Sequence, residues 1–137
     1  RLMSLPSYSS TQSRGILYVK LLDNYRSHHQ ILTYPNAEFY QNELVVKAPI
    51  RTTHRLENWA GWPTKGFPIL FHAVQGKDDR EGTSPSFFNV TEVSQVKHYV
   101  QSLRESRRLT DQDIGVISPY AAQVRKLRQS INAEGES

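Results

Sequence analysis

The chain has 137 residues, with 17 Lys and Arg against 13 Asp and Glu, for a formal net charge of +4. This length suits about one domain with a buried core, and the mild basic excess suits a polyanionic partner without requiring one. The absence of cysteine excludes disulfides and thiolate metal sites, and no apolar run approaches the roughly 20 residues of a membrane span. Because it begins with Arg1 and ends in AEGES, we expect a piece of a longer protein.

The first third of the chain predicts a loop, a strand and a short helix. Residues 1–15, which include the Ser- and Thr-rich PSYSSTQSRG, predict a loop or linker. The run ILYVKLL (16–22) is rich in β-forming residues and predicts a strand. Ser27 and Gln30 have the spacing of a capping box, so a helix should begin there, break or kink at Pro35, and end at QNEL.

The rest of the chain predicts alternating strands and helices. The apolar runs FPILFHAV (67–74) and DIGVIS (113–118) have the length of strands that are buried on both faces of a parallel sheet. Asn89 and Glu92 again have the spacing of a capping box, before an amphipathic helix of about 15 residues. Another helix follows the second strand in PYAAQVRKLRQSI. The order of strand, loop, helix, strand and helix predicts an α/β fold with a parallel sheet.

The pair Tyr25-Arg26 lies at the predicted boundary between the first strand and the first helix, within LLDNYRSHHQIL. The ordinary interpretation of this pair is an aromatic ring packed on the sheet edge beside a solvated arginine. The functional interpretation is a nucleotide-binding site, in which the ring stacks on the base and the guanidinium makes bidentate hydrogen bonds to phosphate oxygens. Composition alone favours the ordinary interpretation.

Three blocks in this sequence resemble, in the same order, motifs of superfamily 1 helicases. LLDNYRSH resembles the block Leu-x-x-(Asn/Gln)-Tyr-Arg-(Ser/Met)-His, and GFPILFHAVQGKDDREGTSPSFFNVTEV and DIGVISPYAAQVRKLR resemble two later blocks. The letters REG and SPSFF are most similar to the Moloney-leukaemia-virus-type and Armitage-like RNA helicases of the up-frameshift group. The resemblance covers about residues 16–131. It implies that residues 16–137 form a partial second RecA-like domain of the P-loop NTPase type, a parallel sheet with flanking helices, with the C-terminal strands missing.

The resemblance also implies how ATP is bound. In this family the first RecA-like domain carries the P-loop and the Mg²⁺-binding acidic motif, and the second carries the Tyr-Arg block. Tyr25 would then stack near the adenine, and Arg26 would be the catalytic arginine finger at the γ-phosphate. ATP is the implied cofactor, with Mg²⁺ held by the missing first domain. The letters GK at 76–77 do not form a P-loop because Phe71 replaces the required Gly, so this chain alone should not hydrolyse ATP.

Candidate RNA contacts lie in two loops that follow predicted strands. Ser118 is predicted to be an N-cap and Pro119 the first helical residue, which would make the loop a helix N-terminus suited to phosphate. In the family this block lies along single-stranded nucleic acid, although Ala121 replaces a polar residue of some relatives. His72 could equally be a satisfied core histidine. The candidate RNA-binding residues are Ser118, Pro119, Tyr120, His72, Gln75 and Gly76.

No metal-binding set is predicted from the sequence. KDDRE (77–81) contains acids but implies no ligand geometry, so a solvated loop is expected. His28 and His29 are too close together in sequence to form a chelating face. His28 matches the helicase motif, and His29 is expected to be exposed.

The function implied by the resemblance is that of an ATP-dependent RNA helicase in the cytoplasm, coupling ATP hydrolysis to movement on single-stranded RNA. Its implied partners are single-stranded RNA, the first RecA-like domain of the same protein, and proteins of RNA silencing or RNA decay, with no membrane. Two alternatives remain open. The chain could be a truncated, non-catalytic RNA-binding or interaction module, or part of a DNA helicase of the same group, because no residue pattern reads a 2′-hydroxyl.

Overall fold

The computed structural model describes Leu5, Tyr8 and residues 19–106 and 109–133. Most of the predicted loop over residues 1–15 and the first part of the strand predicted at 16–22 lie outside this range. The chain divides into two compact units, Arg1–Arg55 and Leu56–Ser137, which are called the N-terminal and the C-terminal unit and are treated separately.

The N-terminal unit is built on a strand–helix–strand arrangement. Its elements are β1 (Asp23–Asn24), α1 (His29–Tyr40), β2 (Val45–Val46) and the short α2 (Ile50–Thr53). β1 and β2 pair in parallel, with Asp23 opposite Val45. Parallel strands need a crossover connection, and α1 supplies it. This unit confirms the predicted α/β class with parallel pairing, although the paired residues of the first strand follow the predicted range of 16–22.

Helix α1 departs from the sequence prediction at its start and in its middle. The N-cap is His28, whose Nδ1 accepts a hydrogen bond from the backbone N–H of Gln30 at 3.1 Å, so the predicted cap at Ser27 is wrong by one residue. The helix also continues through Pro35 instead of breaking there. Proline removes one backbone donor, but the helix is packed through the buried Leu32. It ends as predicted, with Gln41 in the left-handed region at φ 56°.

The C-terminal unit contains an antiparallel strand pair and two packed helices. Its elements are β3 (Asp79–Arg80), β4 (Phe87–Phe88), α3 (Val90–Glu105), a 3₁₀ turn (Asp111–Asp113) and α4 (Ala121–Asn132). The predicted cap at Asn89 is confirmed, because its side chain accepts hydrogen bonds from the N–H groups of Thr91 and Glu92, but the backbone N–H of Asn89 bonds to Gln123 and not to Glu92 as a capping box requires. Helix α3 has 16 residues, close to the predicted length.

The core of the C-terminal unit lies between α3 and α4. Val93 and Val100, two members of the apolar stripe of α3, are buried there with Ala122 and Leu127 of α4. Fully burying a Val or Leu side chain contributes about 1.5–3 kcal/mol, so this small cluster is a main source of cohesion. Ala122 is fully inaccessible to solvent, and its small side chain lets the first turn of α4 approach its neighbours closely.

Two predicted strands of the C-terminal unit are absent. Neither 67–74 nor 113–118 pairs with another strand within the described part of the chain, and Asp113 belongs to the 3₁₀ turn. Phe71 is 90% exposed and Ile117 is 96% exposed, so the prediction of strands buried on both faces is wrong for this structure. A buried strand needs neighbours along both edges, and these residues have none among those described. In the same residues, no helix combines the length and the apolar character that crossing a bilayer requires.

Candidate functional site

The Tyr25-Arg26 pair lies on a tight turn between β1 and α1. The side-chain oxygen Oδ1 of Asn24 accepts hydrogen bonds from the backbone N–H groups of Arg26 at 3.1 Å and Ser27 at 2.9 Å. An Asn side chain that bonds to the backbone two residues ahead forms an Asx turn, which bends the chain. Asn24 is itself part of the parallel ladder with β2. The backbone that carries the pair is therefore fixed by both a ladder and a turn.

Both side chains of the pair face solvent. Tyr25 is 69% exposed, and its hydroxyl donates to Oδ2 of Asp23 at 3.3 Å. Arg26 is exposed as well, and its guanidinium makes no ion pair or side-chain hydrogen bond with any residue that the structure describes. The ring is largely exposed, so the packed ring of the ordinary interpretation is not seen, whereas the solvated arginine of that interpretation agrees with the structure. A planar ring and a free guanidinium on a fixed turn are both available to a ligand.

A cleft of about 340 Å³ in the C-terminal unit is lined in part by Ser118, Pro119 and Tyr120. Its lining combines backbone turns with aromatic and amide side chains, namely Asp78, Phe87, Phe88, Asn89, Glu92, Ser118, Pro119, Tyr120 and Gln123. A neighbouring cleft of about 350 Å³ shares Ser118, Pro119 and Gln123 and adds His72. The structure therefore groups Ser118, Pro119, Tyr120 and His72 of the predicted RNA-binding residues along adjoining clefts.

Gln75 and Gly76 are exposed and are not part of the lining of either cleft. Gly76 has a packing role instead. A Cβ atom at this position would lie 2.6 Å from Oδ1 of Asn89 and 2.9 Å from Cβ of Thr91. Only glycine leaves room for the first turn of α3 at this point.

The loop before α4 differs from its prediction. The helix begins at Ala121 with Tyr120 as its N-cap residue, so Ser118 is not the N-cap and Pro119 is not its first residue. The Ser118 hydroxyl accepts a hydrogen bond from the N–H of Tyr120 at 3.3 Å. Oγ of Ser86, from the turn before β4, accepts from the N–H of Ala122 at 2.9 Å. One first-turn donor that a phosphate could have used is therefore already satisfied.

Gln123 and Asn89 form a buried amide bridge beneath the cleft. Oε1 of Gln123 accepts from the backbone N–H of Asn89 at 2.8 Å, and Nε2 donates to Oε2 of Glu92 at 3.2 Å. Both amide residues are nearly inaccessible to solvent. The bridge joins the N-terminal ends of α3 and α4. Sequence reasoning gave Gln123 no role, although it is the Gln of the block Pro-Tyr-x-x-Gln.

Aromatic rings and cations surround the mouth of the first cleft. The rings of Phe87 and Tyr120 meet edge to face with centroids 6.0 Å apart, and Phe87 is 38% and Tyr120 48% exposed. The Arg80 guanidinium lies 4.9 Å above the Phe87 ring. Partly exposed rings beside cations offer a stacking face and an attraction for phosphate, the two features of surfaces that bind single-stranded nucleic acid.

A second group of charges lies on the outer side of this region. Nζ of Lys126 is 2.7 Å and the Arg125 guanidinium 3.3 Å from the carboxylate of Glu81. Hydrogen bonds from Lys126 and then from Arg125 lower the pKa of Glu81 below its usual value.

The His72 ring is exposed, and its Nδ1 lies 2.6 Å from the hydroxyl oxygen of Tyr99. His72 is therefore neither a core histidine nor free of contacts.

Comparison with known proteins gives a consistent result. A family model described as an AAA domain matches residues 7–137. The human protein named "RNA helicase Mov10l1" is 42% identical over 138 residues, which is 93% of this chain and 11% of that protein. The Danio rerio protein named "Putative helicase mov-10-B.1" is 44% identical over 123 residues, or 85% of this chain. The chain spans 12% of the length of that relative.

Proposed function

This chain belongs to the AAA-domain family, and on that premise we propose that it is part of an ATP-dependent RNA helicase that moves along single-stranded RNA. The observation that carries the proposal is the exposed Tyr25-Arg26 pair on the turn between β1 and α1. The longer helicase of which this chain would be a part is called the parent protein.

Arg26 is the residue to which we assign the catalytic role. Its guanidinium is free to reach the γ-phosphate, where it would stabilise the charge that develops during phosphoryl transfer. An arginine of this kind is worth about 10³–10⁵ in turnover. Because the turn backbone is fixed by Asn24, only the side chain of Arg26 has to be ordered when ATP is bound.

Tyr25 is assigned to the adenine. Its ring is exposed and its hydroxyl is tethered to Asp23, which limits its rotation without covering its face. Mg²⁺ is assigned to the first RecA-like domain of the parent protein. The carboxylate beside the pair, Asp23, is engaged by the Tyr25 hydroxyl, and the chain has no P-loop sequence.

Single-stranded RNA is assigned to the cleft that contains Tyr120 and Phe87. Partly exposed aromatic rings can stack on any base, and Arg80 and the surrounding cations attract phosphates without regard to sequence. Binding at this surface should therefore be sensitive to salt and indifferent to sequence. A role in RNA silencing or RNA decay in the cytoplasm, with proteins of those processes as partners, is our assignment from the resemblance.

Steady-state ATPase kinetics test the proposal. The 137-residue chain alone should show no turnover above background, since it carries no P-loop. In the parent protein, Arg26→Ala should lower the turnover rate with little change in RNA binding. Arg51→Ala, which removes an exposed arginine of α2 in the same unit, is the matched control and should leave turnover unchanged. An active Arg26→Ala protein would overturn the arginine-finger assignment. A parent protein that binds RNA but never hydrolyses ATP would favour the non-catalytic module.

A further inference from the structure

Three histidines converge in the N-terminal unit, two from the start of α1 and one from the end of α2, although His28 and His29 were expected to be too close together in sequence to chelate. His28 caps α1, His29 is the first residue of α1, and His54 follows α2. One ring nitrogen from each lies within 4.8 Å of the others. We propose that this triad, His28–His29–His54, is a binding site for a divalent transition-metal ion of the zinc class. This inference does not depend on the proposed function.

The spacing of the two inner histidines fits a shared metal ion. Nε2 of His28 and Nε2 of His54 are 3.0 Å apart. Zinc–nitrogen bonds of about 2.0–2.1 Å at a tetrahedral angle place two imidazole nitrogens about 3.3 Å apart. A shift of a few tenths of an ångström therefore converts the contact between the two rings into a pair of ligands.

The surroundings of the triad favour an ordered site with access from solvent. His28 is 5% exposed, and its ring centroid lies 4.2 Å from that of His29 and 4.3 Å from that of His54. His29 is exposed, so an ion can enter from its side and the third ligand can adjust its rotamer. Nδ1 of His54 lies 2.8 Å from the hydroxyl of Thr53, which orients the ring in the way that outer partners orient metal ligands.

The hydrogen bonds of the triad also define what metal binding changes. Nδ1 of His28 accepts from the N–H of Gln30, so the ring proton lies on Nε2 and faces His54. When Nε2 binds a metal ion, this proton moves to Nδ1, so the His28 ring neither gains nor loses a proton. The hydrogen bond from Gln30 is then broken. Metal binding therefore competes with the capping of α1 by His28.

The donor set indicates the class of metal. Imidazole nitrogens suit zinc, nickel, copper and cobalt ions, whereas Mg²⁺ and Ca²⁺ prefer oxygen ligands. The three protein ligands leave a fourth position for water. The Mg²⁺ that accompanies ATP would therefore not bind here, and the two metals can be told apart by competition.

Calorimetric titration with Zn²⁺ alone, on the 137-residue chain without a histidine tag, tests the site. The chain has five histidines and no cysteine, so His72→Ala with His98→Ala leaves only the triad. This double variant should bind one ion with unchanged affinity. His29→Ala and His54→Ala should each weaken binding by about 10-fold or more. His28→Asn should do the same, while the amide oxygen of Asn can still cap α1.

Two further measurements distinguish the loss of a metal ligand from the loss of the folded structure. The circular dichroism of His29→Ala should match that of the original chain, because His29 is exposed. Co²⁺ bound to the double variant should give the intense visible bands of a tetrahedral site, and a thousandfold excess of Mg²⁺ should not remove them. Binding that is lost in the double variant, that persists in all three triad variants, or that Mg²⁺ abolishes would overturn the proposal.

Discussion

The two candidate surfaces differ in how far their polar groups are already engaged. At the turn in the N-terminal unit the backbone is bonded to Asn24, while the guanidinium of Arg26 has no partner within the described chain. At the cleft in the C-terminal unit, Gln123, Asn89 and Ser86 already use their polar atoms on one another or on helix ends. The first surface offers a ligand an exposed guanidinium without a partner among the residues described, whereas the second offers a cleft whose walls are fixed by hydrogen bonds and which exposes aromatic rings. We therefore expect chemistry at the first surface and binding at the second.

Arg26→Lys separates charge from geometry at the first surface. A lysine keeps the positive charge but lacks the planar fork of donors, so it should not restore the turnover that Arg26→Ala removes. We expect both variants of the parent protein to lose about 10³-fold or more in turnover, with the lysine variant retaining slightly more. Steady-state ATPase assays at saturating ATP and RNA give the comparison. Full activity of Arg26→Lys would mean that a positive charge is sufficient for turnover and that Arg26 makes no bidentate contact with phosphate.

Gln123→Ala tests whether the second surface depends on its buried bridge. The change leaves the backbone N–H of Asn89 without its partner at a buried position. An unsatisfied buried donor costs about 1–3 kcal/mol, so the free energy of unfolding of the chain should fall by that amount. Urea unfolding followed by circular dichroism measures it. Gln129→Ala, at an exposed position of the same helix, should change the stability by less than about 0.5 kcal/mol. Equal effects of the two substitutions would show that the bridge contributes nothing specific.

Tyr25→Ala should weaken nucleotide affinity more than it slows turnover. Stacking of an aromatic ring on a nucleic-acid base contributes about 1–3 kcal/mol, and we expect a loss of that size. Equilibrium binding of a fluorescent ATP analogue to the parent protein measures it, and Tyr25→Phe is the matched control because it keeps the ring. If the phenylalanine variant were as defective as the alanine variant, the hydroxyl bond to Asp23 would be the important feature instead of stacking.

The smallest effect is expected at Glu81, on the outer side of the cleft. Its pKa is lowered in the folded chain by Lys126 and then by Arg125, so the unfolded chain binds the proton more tightly. The stabilisation from this group is therefore present at neutral pH and is lost as the pH falls below the usual value of 4.5. The melting temperature of Glu81→Gln should be slightly below that of the original chain at pH 7, and this difference should shrink as the pH is lowered below the usual value. A difference that grew on acidification would contradict the assigned direction.

Local signals predicted those parts of the fold in which the partners are near in sequence. The cap at Asn89 was predictable because its partners, Thr91 and Glu92, follow within three residues. The α/β class was predicted from an order of elements whose strands at 67–74 and 113–118 do not form, and it is the family match and the β1–α1–β2 unit that confirm a partial RecA-like fold. The resemblance to superfamily 1 helicases, read from short motifs, is likewise confirmed by the relatives.

The remaining features depend on residues that are far apart in sequence. Ser27 was the predicted cap for α1, but the structure uses His28, whose ring also contacts His54 26 residues away. Ser118 was a reasonable cap for α4, but Ser86 supplies the acceptor from 36 residues away. The predicted burial of 67–74 and 113–118 required neighbouring strands, and hydrophobicity alone does not show whether these are present.

RNA binding in the absence of nucleotide is the most direct test of the division between the two surfaces. A fluorescent single-stranded oligonucleotide would be titrated with the 137-residue chain, with Arg26→Ala and with Tyr120→Ala, at two salt concentrations. The account predicts that Arg26→Ala binds like the original chain and that Tyr120→Ala binds several-fold more weakly, by about 1 kcal/mol or more, with affinity falling steeply as salt is raised. If Arg26→Ala lost RNA affinity while Tyr120→Ala retained it, the roles assigned to the two surfaces would be contradicted.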